Sequence, residues 1–252
     1  MTPWDAVLLG IIQGLTEFLP ISSSGHLLLA QYILGFKQLQ NYLLFDLVCH
    51  LGTLLSITVV FLPHIKLTRL RIYQIILGTL PLFPLVLILK PIKALFNQPE
   101  YLGLCFLFTS LLLFLSTRKW PTREQNSYDP IKIGLFQAIA ILPGISRSGS
   151  TISAARFLGW SKEEAFNFSF LLAIPAILGA SVLEVYQLIK TPSYTTEFSL
   201  FIYFMGFLFS FVIGCITLRL LKRMLLHDKW VYFAWYCLFL GLFTTWWINF
   251  SG

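Results

Sequence analysis

Apolar stretches long enough to cross a bilayer recur along nearly the whole chain, separated only by short polar punctuations. A spanning helix needs about 20 consecutive apolar residues, and a backbone immersed in lipid must satisfy its own hydrogen bonds, so such a chain folds as a helical bundle within the membrane. The fold class read from this pattern is an all-α polytopic membrane protein. Charge content agrees, because Asp, Glu, Lys and Arg make up only 12% of the 252 residues and hydrophobic residues 57%, against roughly 25% charged in a soluble domain. A soluble single-domain enzyme, a disordered chain, a disulfide scaffold and a coiled coil are excluded together. Cys49, Cys105, Cys215 and Cys237 lie scattered in apolar surroundings without paired spacing, as small buried hydrophobes rather than metal ligands or bridges. The N-terminus has no basic lead and no small-residue cleavage site, so no signal peptide is expected.

Six stretches read as spans, at about 43–62, 72–89, 101–117, 164–189, 198–218 and 231–248. Residues 1–36 and 131–160 do not fit. They are apolar but broken in the middle, by Pro20 with Ser22, Ser23, Ser24 and Gly25, and by Pro143, Gly144, Ser146, Arg147, Ser148 and Gly149. Each half is too short to cross, so each stretch reads as a re-entrant helical hairpin.

The net charge of +7 does not point to a nucleic acid, because the basic residues sit in short connections rather than on a solvated face. They alternate instead. Lys66, Arg69 and Arg71, then Arg118, Lys119, Arg123 and Lys132, then Arg219, Lys222, Arg223 and Lys229 mark three cytoplasmic loops, while Lys90 with Lys93, and Lys190, mark external ones, as the positive-inside rule requires. That parity holds only if residues 1–36 enter from outside and residues 131–160 from the cytoplasm.

An internal repeat agrees. A shift of 124 lays Gly10, Gln13, Ile21, Ser22, Ser24, Gly25, Ala30, Leu34 and Gly35 onto Gly134, Gln137, Ile145, Ser146, Ser148, Gly149, Ala154, Leu158 and Gly159. With an odd number of spans after each hairpin, the second copy is inverted. The expectation is one membrane domain, 1–252, of two inverted repeats at about 1–120 and about 125–252. Each repeat is a hairpin plus three spans.

The first break reads Gln13-Gly14-Leu15-Thr16-Glu17-Phe18-Leu19-Pro20-Ile21-Ser22-Ser23-Ser24-Gly25-His26. A carboxylate in an apolar segment is costly unless it is paired, protonated or metal-bound, so Glu17 is a functional candidate. Gln13 stands four residues before it, on the same helical face. The serines offer N-cap oxygens, free backbone N–H groups and a positive helix end, a setting for phosphate, and His26 can serve as acid, base or phosphate contact. The second break reads Pro143-Gly144-Ile145-Ser146-Arg147-Ser148-Gly149-Ser150-Thr151. Its guanidinium must find an anion, and its planar fork matches phosphate oxygens. If the breaks meet, they surround a lipid phosphate. Packing is the competing role for each serine, and a structural ion pair the competing role for Glu17 and Arg147; mirrored hydroxyl-rich breaks are not needed for either.

These two motifs resemble the undecaprenyl-diphosphate phosphatases of the integral-membrane bacitracin-resistance type. Weaker agreement runs through Phe45-Asp46, His50-Leu51-Gly52-Thr53, Phe168-Ser169-Phe170-Leu171-Leu172 and Ile174-Pro175. One departure is Gln13, where the family pattern usually carries a glutamate, which leaves Glu17 as the motif's sole carboxylate. The resemblance implies hydrolysis of a C55 polyprenyl diphosphate to the monophosphate and inorganic phosphate, recycling a cell-wall lipid carrier, in a bacterial cytoplasmic membrane, with the site facing outside and a divalent cation, Mg2+ or Ca2+, as cofactor. On this reading Glu17, Ser23, His26 and Arg147 are catalytic, Glu17 is also the candidate metal ligand, and Gln13, Ser22, Ser24, Gly25, Ser146, Ser148, Gly149 and Thr151 contact substrate. The nucleophile is Ser23, His26 or a water held by Glu17, a choice the residues leave open. Asp46 and His50 are candidate supports. Partners are the lipid substrate and the surrounding bilayer, not nucleic acid; homo-oligomers are compatible with this size, but no segment specifies a copy number. The competing function is a transporter of a polyprenyl phosphate, because inverted repeats with broken helices also serve alternating access.

Overall fold

The computed structural model describes residues 1–36, 42–61, 67–88, 99–190 and 198–251, and every regular element among the described residues is helical. In chain order the α-helices are α1 (Pro3–Thr16), α2 (Ser23–Ile33), α3 (Leu43–Val60), α4 (Arg69–Thr79), α5 (Leu102–Ser116), α6 (Asp129–Ile139), α7 (Arg147–Phe157), α8 (Lys162–Lys190), α9 (Leu200–Leu226) and α10 (Val231–Ser251). Leu43–Val60, Lys162–Lys190, Leu200–Leu226 and Val231–Ile248 are long and apolar enough to cross a membrane. The chain is a multi-pass, all-helical membrane protein.

The other two expected spans are built differently. Residues 101–117 form the 15-residue α5. Residues 72–89 divide into α4 and a 3-10 helix, Leu80–Ile88, where Pro81 and Pro84 lack the N–H groups that α-helical bonding needs. Residues 62 and 89, Lys66, Lys90 and Lys93 lie outside the described residues. Several basic residues expected in loops are helical: Arg69 and Arg71 open α4, Lys132 belongs to α6, and Arg219, Lys222 and Arg223 extend α9. Their long apolar stems let the charged heads reach water from a helix end.

The two broken stretches fold alike. Thr2 caps α1 through a reciprocal pair with Asp5, Thr2 Oγ1 accepting from the Asp5 N–H at 3.2 Å and Asp5 Oδ2 accepting from the Thr2 N–H at 2.6 Å, the capping-box arrangement. Beyond each break, Ser22 caps α2 by accepting from the Gly25 N–H, and Ser146 caps α7 by accepting from the Gly149 N–H. Both second helices end on a glycine with positive φ, Gly35 at 77° and Gly159 at 79°. Paired terminal bonds match as well, Phe36 N–H to the Gln31 carbonyl and Trp160 N–H to the Ala155 carbonyl, each at 3.0 Å, the Schellman closure that glycine permits.

Packing follows the same correspondence. With helix numbers advanced by five, the contacts of α1 on α9 and α3 on α9 become those of α6 on α4 and α8 on α4, while α3 meets α8 and α5 meets α10. Glycine allows the closest approaches: a Cβ on Gly10 would stand 2.8 Å from the Gly206 carbonyl oxygen, and one on Gly134 would collide with the Gly78 carbonyl. Each broken hairpin is thereby seated against a helix of the opposite half. Beneath the first break lies an aromatic core in which Phe18 meets the edge of Phe170 at 5.7 Å and Phe61 packs on Phe166 and Phe170.

Candidate active site

The tips of the two breaks touch. Ser22, held at φ 71°, accepts the Gly144 N–H at 3.0 Å, and Ser148 donates to the Leu19 carbonyl at 3.3 Å. Positive φ at a serine costs energy that only a well-determined surrounding sustains. Gly25 faces Gly144 so closely that an added Cβ would lie 3.0 Å from that backbone. Thr109 on α5 braces the second tip, donating to the Gly144 carbonyl at 2.9 Å and accepting the Ser146 N–H at 3.0 Å.

At this junction Glu17 is 8% exposed and multiply bonded. Its Oε1 accepts from Arg147 Nη2 at 2.7 Å. Its Oε2 accepts from Ser23 Oγ at 2.7 Å and from Gln13 Nε2 at 3.1 Å. Gln13 reaches it because four residues make one helical turn; Ser23 reaches it because the chain reverses at Pro20 and starts α2 beside the end of α1. His50 Nε2 on α3 stands 3.8 Å from the same oxygen, while the carboxylate of Asp46, one turn earlier, accepts from Gln31 Nε2 at 3.0 and 3.3 Å.

Two polar atoms on this junction, Gln13 Oε1 and Arg147 Nη1, are buried without a hydrogen-bond partner among the described residues. One accepts and one donates. Buried polar atoms are nearly always bonded, so a pair left over beside a paired carboxylate marks where a polar ligand completes the site. An Arg fork with one free arm and the N-terminus of α2 suits the oxygens of a phosphate.

The remaining sequence candidates fall into two groups. Ser24 lies 3.4 Å from Ser22 Oγ and Ser146 lies 3.3 Å from Ser148 Oγ, so these hydroxyls line the touching tips with Gly25 and Gly149. His26 and Thr151 point elsewhere. The His26 ring bonds the Ser22 carbonyl through Nδ1 at 2.7 Å and the Tyr236 hydroxyl through Nε2 at 2.8 Å. Thr151 donates to the Arg147 carbonyl at 2.9 Å and meets Ser169 Oγ at 2.6 Å, buried against α8. Thr109 and Tyr236 escaped sequence reasoning, since each is one hydroxyl among many in apolar helices.

Among the described residues, no group of three His, Cys, Asp or Glu side chains is placed to hold a metal ion. Glu17 and Gln13 Oε1 are nonetheless hard oxygen donors, and Mg2+ is commonly held by one or two protein oxygens together with substrate phosphates. The donor set fits a cation that arrives with a diphosphate.

Residues 6–243 match the family model described as bacitracin resistance protein BacA. Among relatives, the chain is similar to a protein of Protochlamydia amoebophila (strain UWE25), 61% identical over 97% of this chain and 98% of that one. It is also similar to proteins of Carboxydothermus hydrogenoformans, 40% identical with 96% of each covered, and of Alkaliphilus metalliredigens, 37% identical over 94% of this chain and 95% of the relative. All three bear the name undecaprenyl-diphosphatase.

Proposed function

This chain belongs to the bacitracin resistance protein BacA family, and from that premise we infer that it hydrolyses undecaprenyl diphosphate to undecaprenyl phosphate and inorganic phosphate. The observation that carries the chemistry is Glu17 bonded at 2.7 Å both to the Ser23 hydroxyl and to the Arg147 guanidinium. A hydroxyl donating to a buried carboxylate is a nucleophile in reach of its base. Ser23 Oγ attacks the terminal phosphorus as Glu17 takes its proton; the bond from that phosphorus to the bridging oxygen breaks, and the lipid monophosphate leaves with the electron pair. Glu17 passes that proton to the departing monophosphate; water, giving a proton to Glu17, then attacks the phosphorus, the bond to Ser23 Oγ breaks, Ser23 Oγ takes that proton back from Glu17, and inorganic phosphate leaves. Arg147, through its free Nη1, and the N-H groups opening α2 stabilise charge that grows on the phosphoryl oxygens.

His26 supports the attack less directly, because both of its ring nitrogens are engaged; it orders the first turn of α2 through the Ser22 carbonyl. Glu17 and Gln13 would hold a divalent cation, Mg2+ or Ca2+, which when bound supplies further neutralisation of the diphosphate. Ser22, Ser24, Gly25, Ser146, Ser148 and Gly149 shape the floor under the headgroup.

The topology that accompanies this reading has six passes and two re-entrant hairpins, α1–α2 entering from the external side and α6–α7 from the cytoplasm, with the site open to the exterior and the two halves inverted. Matching caps, matching glycine closures and the exchanged packing of α1 on α9 and α6 on α4 support it. A carrier of lipid phosphate would use the same symmetry, but it has no need of a serine bonded to a carboxylate.

The deciding experiment incubates detergent-purified protein with undecaprenyl diphosphate, with and without EDTA, and measures released phosphate. Release above background that EDTA suppresses is expected; absence of release with Mg2+ and with Ca2+ overturns the reading.

A further inference from the structure

A groove of about 540 Å³ runs between α1, α2 and α10 and starts at the broken tip. Its walls are almost wholly apolar, with Ile12, Leu15, Leu19, Leu29, Ile33 and Phe233 among them. The polar atoms of Thr16, His26 and Tyr236 on the wall are already engaged. Thr16 Oγ1 bonds the Ile12 carbonyl at 2.7 Å, and His26 is tied to the Ser22 carbonyl and to Tyr236. Such a channel does not hold water well. It is open along one side, since Leu15 is 41% and Ile33 65% exposed.

Helix α1 therefore has two unlike faces. Gln13 and, just past the helix end, Glu17 face the phosphate site, whereas Ile12, Leu15 and Thr16 of α1 and Leu19 beyond it line the groove, which reaches the break at Ile21 and His26. An amphiphile whose diphosphate lies beside Glu17 must lay its hydrocarbon somewhere within one or two bonds of that point. The apolar groove between α1, α2 and α10 reaches the break at Ile21 and His26, a few residues from Ser23.

We propose that the groove between α1, α2 and α10 receives the first isoprene units of the prenyl diphosphate, with the stacked His26–Tyr236 pair marking the boundary between hydrocarbon and headgroup. The His26 and Tyr236 rings lie 5.7 Å apart and 12° from parallel, and their polar atoms turn to each other and to Ser22, so the pair offers flat carbon surface to a branched alkene. A volume of about 540 Å³ is within the range of small-molecule pockets and too small for eleven isoprene units, so the distal chain runs out through the open side into lipid. The groove thus selects for a prenyl group at the diphosphate rather than for total chain length. The proposal rests on the phosphatase reading only for where the diphosphate lies.

Two measurements test it. In the first, Ala30, a small residue of the groove wall, is replaced by Trp. Hydrolysis of farnesyl diphosphate is compared with that of methyl diphosphate, which has no chain. The ratio of kcat/KM values should fall at least tenfold in Ala30→Trp, mainly through KM, and should stay within twofold of wild type in Val212→Trp on the exposed side of α9. An unchanged ratio in folded Ala30→Trp protein overturns the proposal. In the second, a prenyl diphosphate carrying a diazirine on its second isoprene is photolysed on wild-type protein. Labelling of peptides containing Leu15, Ile33 or Tyr232 is expected; labelling confined to other helices overturns the assignment. Photolabelling needs no turnover, so an inactive protein that labels this groove sinks the phosphatase reading and leaves the groove standing.

Discussion

Arg147 donates to Glu17 at 2.7 Å across 130 residues of sequence, and this bond joins the two broken hairpins beside the Gly144–Ser22 and Ser148–Leu19 bonds. It is an ion pair shielded from water, with side-chain exposures of 15% and 7%. Removing either partner leaves the other charge buried and alone, which costs about 3–5 kcal/mol.

Both members should therefore be needed for turnover. Glu17→Gln keeps the shape and removes the base, and should lower kcat by about 10²–10⁴-fold. Arg147→Ala should lower it by at least about 10²-fold, and Arg147→Lys should recover little, since an ammonium has no fork. Cys105→Ala should be nearly silent. Each protein is checked for folding by thermal unfolding in detergent; equal losses in all of them would mean that stability, not chemistry, was being read.

Ser23 should carry phosphate transiently. Acid-quenched enzyme, digested and analysed by mass spectrometry within the first turnovers, should show a phosphorylated peptide at Ser23 that is missing in Ser23→Ala. Turnover by Ser23→Ala within tenfold of wild type would hand the attack to water.

Contact between the tips predicts a backbone effect without any change of chemistry. A methyl on Gly25 would press on Phe106 Cζ at 2.7 Å and on Gly144 at 3.0 Å. Gly25→Ala should cost about 1–3 kcal/mol of stability and lower kcat/KM at least tenfold, because Ser22 and Gly144 can no longer bond. Wild-type kinetics in this variant would mean that the tips need not touch.

Asp129 supplies a pH signature at the mouth of α6. Burial alone would raise its carboxyl, but bonds from Arg123, from the Trp160 indole and from the Asn126 N–H outweigh burial and hold it below the ordinary 3.8. A group depressed on folding contributes stability above its unfolded value and loses that contribution as pH falls through the folded one. The difference in Tm between wild type and Asp129→Asn should be constant from about pH 7 to 5 and shrink below about pH 4. A difference that grows with acidification would reverse the sign.

Orientation is read by cysteine labelling in a background without native cysteines. A cysteine at Lys222 should react only from the cytoplasmic side and one at Lys190 only from outside. The reverse pattern would invert the whole assignment.

Much of the site was legible because lipid makes polar residues expensive. Glu17 and Arg147 stand out in apolar sequence, and the spacing of Gln13, Ser22 and Gly25, repeated as Gln137, Ser146 and Gly149, marks the two breaks as copies of each other. Pro81 and Pro84 carried a signal for the 3-10 segment that hydropathy averages out. Thr109 and Tyr236 carried none: a hydroxyl among leucines or an aromatic among aromatics acquires its partner only when distant helices meet. The direction of His26 was equally hidden, since a first-turn position allows a ring to face either the carboxylate or α10.

Seating each hairpin against a helix of the other half has an evolutionary corollary. A polypeptide with only the first half would present Gln13, Glu17 and Ser23 with no guanidinium and no partner for Gly10. On the inverted topology proposed above, it would have to pair with a second molecule lying upside down in the same bilayer to become competent. A fused chain would leave the two copies free to diverge, one keeping the carboxylate and the other the guanidinium.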